Sequence, residues 1–175
     1  MIISAGRNEI FSFAKPVGVG LIETAINLTQ IFEQNKVRNL IFIGTAGLYK
    51  KGEILKVYES SYAANYEISA LLSFSYTPLN CEISGNVSYE TYKVNSSNFI
   101  TTDKNSAFKF YERGFFMENM EFFSILKVAN TFKIPAYGIF VSTNFCDENA
   151  HNDYEKNYKE AKILLTKHLK SKGLI

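Results

Sequence analysis

Hydrophobic and polar positions along the chain fall into two kinds of pattern. Apolar residues recurring at helical spacing predict amphipathic helices over about Leu21–Asn35, Met120–Thr131 and Asn152–Ser171. Unbroken apolar runs predict buried strands over Arg38–Gly44 and Ala136–Val141. Because these strands show no polar alternation and lie between helices, the pattern favours an α/β fold with a central, mixed but mostly parallel sheet between two helical layers.

The first fourteen residues allow two interpretations. Two short β-type runs, Ile2–Ala5 and Glu9–Ala14, flank the turn-forming Gly6-Arg7-Asn8, and this spacing is typical of a β-hairpin. We favour the hairpin. In the alternative, Ile2–Ala5 is the first strand of the sheet, and Glu9 or Arg7 lies beside a functional site.

Composition limits the class of protein. The 175 residues are 46% hydrophobic and 21% charged and contain no repeat or linker, so we expect one domain over residues 1–175. The net charge of +2 gives no reason to expect nucleic acid as a partner. The longest apolar runs are far shorter than the roughly 20 residues of a membrane helix, so no membrane association is expected.

The N-terminus and the cysteines suggest a location. Met1–Gly6 lacks the cationic flank and long apolar stretch of a signal peptide. Cys81 and Cys146 are too few for a disulfide framework or a zinc site, and we expect both to be reduced. These features predict a cytoplasmic protein without a metal.

Candidate chemistry follows from the rule that ligands of open α/β sheets bind beyond the carboxyl ends of the strands. Gly44-Thr45-Ala46-Gly47 follows a buried strand. This segment is either an anion-binding site, with backbone amides and a hydroxyl as donors, or an ordinary tight turn. Gly18 and Gly20, before the first helix, would bring a second backbone segment to the same ligand. A further predicted strand, Ser97–Thr102, ends at Asp103.

Two further residues have both a structural and a functional interpretation. Glu121 at a predicted helix start is either a charge favoured by the helix dipole or a carboxylate that accepts hydrogen bonds from adjacent sugar hydroxyls. Asn144, at the polar end of the last strand, either caps a turn or hydrogen-bonds a heterocycle.

Taken in order, these motifs resemble the nucleoside phosphorylase and nucleosidase superfamily. Its Gly-Ser/Thr-Ala-Gly motif corresponds to Gly44–Gly47, and its Val-Gly-Asp-Ile to Lys51–Ile54. Its Glu-Met-Glu helix start corresponds to Asn119-Met120-Glu121. Its Val/Ile-Pro before a strand that ends in Ser-Asp corresponds to Ile134-Pro135 and Thr143-Asn144.

The resemblance implies a nucleoside phosphorylase-like fold and cleavage of the N-glycosidic bond of a purine nucleoside. Phosphate or water would be the nucleophile, and no cofactor would be needed. Glu121 would bind the ribose hydroxyls, and Asn144 would meet the purine near N7. The remaining substrate-binding residues would be Met120, Asn119, Asp147 and Asp103. The phosphate site would comprise Gly20, Gly44, Thr45 and Gly47.

Three departures from the superfamily pattern affect the expected activity. Asn144 is an amide where an acid would protonate N7, which favours a 6-oxopurine as the base. Asn119 replaces the first glutamate of Glu-Met-Glu. If residues 1–14 form a hairpin, the chain also lacks the superfamily's first βα unit. The alternative function is therefore a catalytically silent homologue that binds a nucleoside or serves in an assembly.

The resemblance also implies a homo-oligomer, because a neighbouring subunit commonly completes the site in this superfamily. The aromatic-rich segment Phe110–Phe123 is a candidate for the covered surface, and the alternative is that its rings fill the core.

Overall fold

In the computed structural model, which describes residues 1–87 and 92–175, a central mixed sheet carries helices on both faces. The strands are β1 (Ile2–Ser4), β2 (Lys15–Pro16), β3 (Leu40–Leu48), β4 (Val57–Ser60), β5 (Tyr62–Ala64), β6 (Glu82–Ser84), β7 (Val94–Ser96), β8 (Met117–Asn119) and β9 (Ala136–Phe145). The α-helices are α1 (Leu21–Gln34), α2 (Ile68–Leu71), α3 (Lys104–Glu112), α4 (Phe122–Thr131) and α5 (Ala150–Ser171).

Parallel pairing predominates in this sheet, as the sequence predicted. One path through it runs β2-β1-β3-β8-β7-β5-β6, and β9 pairs with β3 and β4. The pairs β3–β8, β4–β9 and β5–β6 are antiparallel, and the other pairs are parallel. Because β1, β3 and β9 are parallel, their carboxyl ends lie at the same edge of the sheet.

Both faces of the central strands are buried, which explains why the sequence shows no polar alternation there. In β3, Leu40 and Phe42 pack into a cluster with residues of α1 and α4. Ile41 and Ile43 point to the opposite face and pack with residues of α5. The predicted three-layer α/β architecture is therefore confirmed.

The prediction of an N-terminal hairpin is wrong. β1 pairs in parallel with both β2 and β3, and a short 3-10 helix, Arg7–Glu9, follows it. Phe11 and Ala14 do not form a strand but pack into the cluster beneath α5, which accounts for the apolar run. Residues 2–4 are thus the first strand of the sheet, as in the alternative interpretation, and a 3-10 helix rather than an α-helix follows it.

Three further boundaries differ from the prediction. Gly44–Gly47 is no turn, because β3 continues to Leu48 alongside β9, with an irregularity in register between Ala46 and Gly47. Residues 97–102 form no strand; the strand here is the earlier β7. Helix α4 begins only at Phe122, because residues 117–119 pair as β8 with β3 and β7.

The aromatic segment Phe110–Phe123 belongs in large part to the core. Phe110, Phe115 and Phe122 are at most 4% exposed within the single chain. Residues 66–93, which the sequence left unassigned, contain α2 and β6, and residues 88–91 lie outside the described part. Within residues 1–87 and 92–175, none of the helices combines the length and the apolar character that a membrane span requires.

Candidate active site

A cavity of about 290 Å³ opens where the carboxyl ends of β1, β3 and β9 meet. Its position agrees with the rule for ligand sites in parallel sheets. The lining residues that concern the chemistry are Arg7, Asn8, Glu9, Thr45, Gly47, Phe99, Ile100, Glu118, Asn119, Met120, Glu121, Thr143, Asn144, His151 and Tyr154.

Glu9 is a buried carboxylate, 7% exposed, that the turn after β1 directs at β3. Its Oε1 accepts hydrogen bonds from the amide of Thr45, at 2.9 Å, and from the Thr45 hydroxyl. Its Oε2 is buried and has no hydrogen-bond partner among the described residues. Burial raises the pKa of Glu9, and the two bonds from Thr45 oppose that rise.

Gly44 is required for this arrangement, because a Cβ at that position would lie 3.1 Å from Glu9 Oε2 and 2.9 Å from the ring of Phe42. The glycine thus makes room for a carboxylate of the protein itself. The space that the sequence assigned to phosphate at Gly44 and Thr45 holds Glu9 instead.

Glu121 is the second buried carboxylate of the cavity. It occupies the N-cap position of α4, is 3% exposed, and accepts a 3.0 Å hydrogen bond from the Gly20 amide on Oε1. Burial, and then the negative charge of Glu9, raise its pKa to about 7. Glu121 therefore lies at a helix start, as predicted, but it is buried and lines the cavity. The amide of Gly20, which was predicted to bind phosphate, donates to this carboxylate instead.

Asn119 joins β3 to the start of α4. Its Nδ2 donates to the carbonyl of Thr45 at 3.1 Å, and its Oδ1 accepts from the amides of Glu121 and Phe122 at 2.8 and 2.9 Å. A glutamate could not donate the first of these bonds. The next residue, Met120, is half-buried and lines the cavity.

Asn144 lies near the end of β9 and is 6% exposed. Its Oδ1 accepts from the Thr143 hydroxyl at 2.9 Å, and its Nδ2 donates to the Phe145 carbonyl at 3.0 Å. A Cβ on Gly47 would lie 3.0 Å from this Nδ2, so the glycine allows β3 to approach the amide closely.

Two of the predicted substrate-binding residues do not line the cavity. Asp103 is exposed and caps α3, since its Oδ1 accepts from the Ser106 amide at 2.7 Å. Asp147 accepts a 2.9 Å bond from the amide of Asn149 in the turn before α5. The structure gives each carboxylate a local structural partner.

The lining residues that escaped the sequence prediction include two pairs from different elements. Phe99 and Ile100 lie on the loop after β7 and are 84% and 52% exposed. His151 and Tyr154 lie in the first turns of α5. For Phe99 and Ile100, the sequence offered one indication of a loop: an apolar pair directly after the polar Ser97-Asn98. Because residues 97–102 were predicted as a strand, this indication was not used.

Acidic, cysteine and histidine side chains do not gather into a group that could hold a metal ion anywhere in the part of the chain that the structure describes.

Comparison with known proteins supports the fold. No protein-family model and no curated protein matches the sequence. Among solved structures, a mutant of Helicobacter pylori 5′-methylthioadenosine nucleosidase, with 5′-methylthioadenosine in its active site, superimposes with a TM-score of 0.81 at 16% identity. That match covers 97% of this chain and 95% of the other.

Two further solved structures agree. A futalosine hydrolase mutant from H. pylori gives a TM-score of 0.80 at 16% identity and covers 97% of this chain and 96% of its own. The Streptococcus pneumoniae 5′-methylthioadenosine/S-adenosylhomocysteine nucleosidase, with a transition-state inhibitor, gives 0.77 at 14% identity and covers 96% and 95%. The expected fold is confirmed: this chain has the same fold as these nucleosidases.

Replacing Glu121 with glutamine should reduce the pH dependence of stability. The folded pKa is about 7 and the ordinary value is 4.5, so the folded state retains a proton that the unfolded state releases. This stabilisation is complete below the unfolded pKa and is lost as the pH rises through the folded one. Between about pH 4.5 and pH 8, wild type should lose about 3 kcal/mol of unfolding free energy relative to Glu121→Gln in urea titrations.

The exposed Glu33 on α1 provides the control for this comparison. Glu33→Gln should follow the wild-type pH profile. Parallel profiles for wild type and Glu121→Gln would contradict the assigned burial of Glu121.

Proposed function

We propose that this protein is a nucleoside hydrolase that binds a purine nucleoside in the cavity and cleaves its N-glycosidic bond with water. The observation that carries the proposal is Glu9 Oε2, a buried carboxylate oxygen without a partner among the described residues, beside a cavity at the carboxyl edge of the sheet. The nucleosidase fold supports the same reaction class.

In the proposed reaction, Glu9 acts as general base. Its Oε2 takes a proton from a water molecule while the water oxygen bonds to C1′ of the ribose and the C1′–N bond breaks. The electrons of that bond remain on the departing base, which takes up a proton from solvent to give the free purine, and Glu9 then returns its proton to solvent. The two hydrogen bonds from Thr45 favour the ionised form of Glu9, which this step needs.

Water is the nucleophile in this proposal rather than phosphate. The amide and hydroxyl of Thr45 already bind Glu9, and the amide of Gly20 already binds Glu121. Two carboxylates at one site would also repel a phosphate dianion. A water molecule meets neither obstacle.

Glu121 is proposed to bind the ribose. Its Oε1 accepts from the Gly20 amide, and the carboxylate would also accept from the adjacent 2′ and 3′ hydroxyls. Met120, the neighbouring residue, would pack against the sugar ring. A carboxyl group with a pKa of about 7 can accept a hydrogen bond from a hydroxyl when ionised or donate one when protonated.

The base is proposed to lie between the loop after β7 and the end of β9. Phe99 offers an exposed ring against which a purine can stack. Asn144 would hydrogen-bond N7, since an amide donates a hydrogen bond without transferring a proton. This chemistry favours a 6-oxopurine, because a 6-aminopurine leaves more readily when N7 is protonated.

A second candidate function is nucleoside binding without cleavage. The observation that favours it is again Asn144, because the described cavity holds an amide where an acid would assist departure of the base. Such a protein would bind a ribonucleoside through the same contacts and release no free base.

A second copy of the chain is proposed to cover the mouth of the site. Ile22 and Ile26, one turn apart on α1, are 69% and 53% exposed and line a groove that shares Arg7, Val19 and Met120 with the cavity. Two exposed isoleucines beside a ligand site are typical of an interface.

Replacing Glu9 with glutamine should abolish most of the activity. Loss of a general base lowers turnover roughly 100- to 10,000-fold. Binding should change little, since the amide keeps an acceptor for Thr45. Purified protein is incubated with inosine, guanosine, adenosine or 5′-methylthioadenosine, with and without phosphate, and free base is measured by chromatography.

Glu33→Gln is the matched control and should retain wild-type turnover. Base release that requires phosphate would contradict water as the nucleophile. Binding of the same nucleosides without any base release from wild type would favour the silent alternative.

Replacing Glu121 with alanine should remove recognition of the ribose hydroxyls. Wild type should bind inosine more tightly than its 2′,3′-dideoxy analogue, because each hydrogen bond to a charged group contributes about 1.5–3 kcal/mol. The variant should bind both equally in calorimetric titrations. Equal affinities in wild type, or discrimination that persists in the variant, would show that Glu121 does not contact the ribose.

Light scattering should give a mass of at least twice the 19.9 kDa of one chain. Ile22→Asp combined with Ile26→Asp should shift the protein to the monomer, because burying two carboxylates in an apolar interface is costly. A single-chain mass for wild type at micromolar concentration would exclude the proposed oligomer.

A further inference from the structure

Glu118 is a buried carboxylate of the cavity that the proposed reaction does not use. It lies on β8, directly before Asn119, and is 8% exposed. Because an ionised carboxylate is costly to bury without donors, its surroundings should explain its presence.

Both oxygens of Glu118 bind one residue. The Thr101 amide donates to Oε1 at 2.9 Å, and the Thr101 hydroxyl donates to Oε2 at 2.7 Å. Burial raises the pKa of Glu118, and these two bonds, followed by interactions with the Tyr49 and Cys146 side chains, oppose that rise. Glu118 thus anchors Thr101 by accepting hydrogen bonds from both its backbone and its side chain.

Thr101 directly follows the Phe99-Ile100 pair. The side chains of this pair are 84% and 52% exposed, so packing within the chain holds them little. Before the pair, the Leu21 amide donates to Asn98 Oδ1 at 2.8 Å. The loop that carries the pair is therefore held on both sides, and the contact at Thr101 ends on a buried carboxyl group.

We propose that Glu118 is a positioning residue which, through Thr101, holds Phe99 in place to stack on the base. This inference rests on the proposed function. It gives Glu118 a role without direct contact with the substrate, and it connects the base-stacking loop to the strand that leads into the ribose-binding Met120 and Glu121.

The first test needs no ligand. Thr101→Val removes the hydroxyl bond, Thr101→Ser retains it, and Thr102→Val makes the same change at an exposed neighbour. Hydrogen exchange of the amides of residues 97–103 should be about tenfold faster in Thr101→Val and unchanged in the other two variants. Unchanged exchange in Thr101→Val would overturn the anchor.

The second test is a double-mutant cycle measured as inosine affinity. Thr101→Val should weaken binding about tenfold in wild type and have no further effect in a Phe99→Ala background. Thr101→Ser should restore wild-type affinity. Equal effects of Thr101→Val in both backgrounds would show that the threonine acts independently of the aromatic ring, and would overturn the proposal.

The two tests separate the possible failures. If wild type binds no nucleoside while exchange responds as expected, the proposed function fails, and with it the positioning of a base, although the anchor itself stands. If nucleosides bind but the cycle is additive, the proposed function survives and the role of Glu118 is rejected.

Discussion

Burial of carboxylates in one small cavity is the constraint on which the site depends. Glu9 and Glu121 are each less than one-tenth exposed, and the charge of Glu9 helps to raise the pKa of Glu121. Two such groups are tolerated because backbone amides of β3 and of the α1 start donate to them. The same amides would otherwise be free for an external anion, so the hydrogen bonds that offset the cost of burying these carboxylates leave fewer donors for a phosphate.

The sequence predicted the architecture well because burial on both sides of the central strands leaves a strong pattern, as in Leu40–Ile43. It failed where tertiary contacts overrode local propensity. Residues 9–14 resemble a strand in sequence because Phe11 and Ala14 pack into the core from an irregular segment. The predicted helix began too early, at Met120. The hydrogen bonds from the amides of Glu121 and Phe122 to the Asn119 side chain set the true start of α4, and hydrophobic periodicity does not reveal such bonds.

The candidate site was predicted only in part for a related reason. Glu121 and Asn144 lie near the ends of a helix and a strand that the sequence predicts, so their places in the fold follow from those elements. Glu9 depends on a parallel β1, a long-range pairing that its own neighbourhood does not encode. Phe99 belongs to a loop fixed at a distance by Asn98 and Glu118, so its proximity to the cavity is a tertiary property. Asp103 was predicted as a site residue because it follows a predicted strand, but its side chain caps α3.

The carbonyl of Phe145, which accepts a 3.0 Å bond from Asn144, has a consequence for the chemistry open to this fold. A carboxyl group of the same shape at this position would face that oxygen with a lone pair if it were ionised and with a hydrogen-bond donor if it were protonated. The carbonyl would therefore favour retention of the proton. The backbone at the end of β9 would thus raise the pKa of an acid at position 144, whereas the amide of Asn144 donates to the same carbonyl without carrying an ionisable proton.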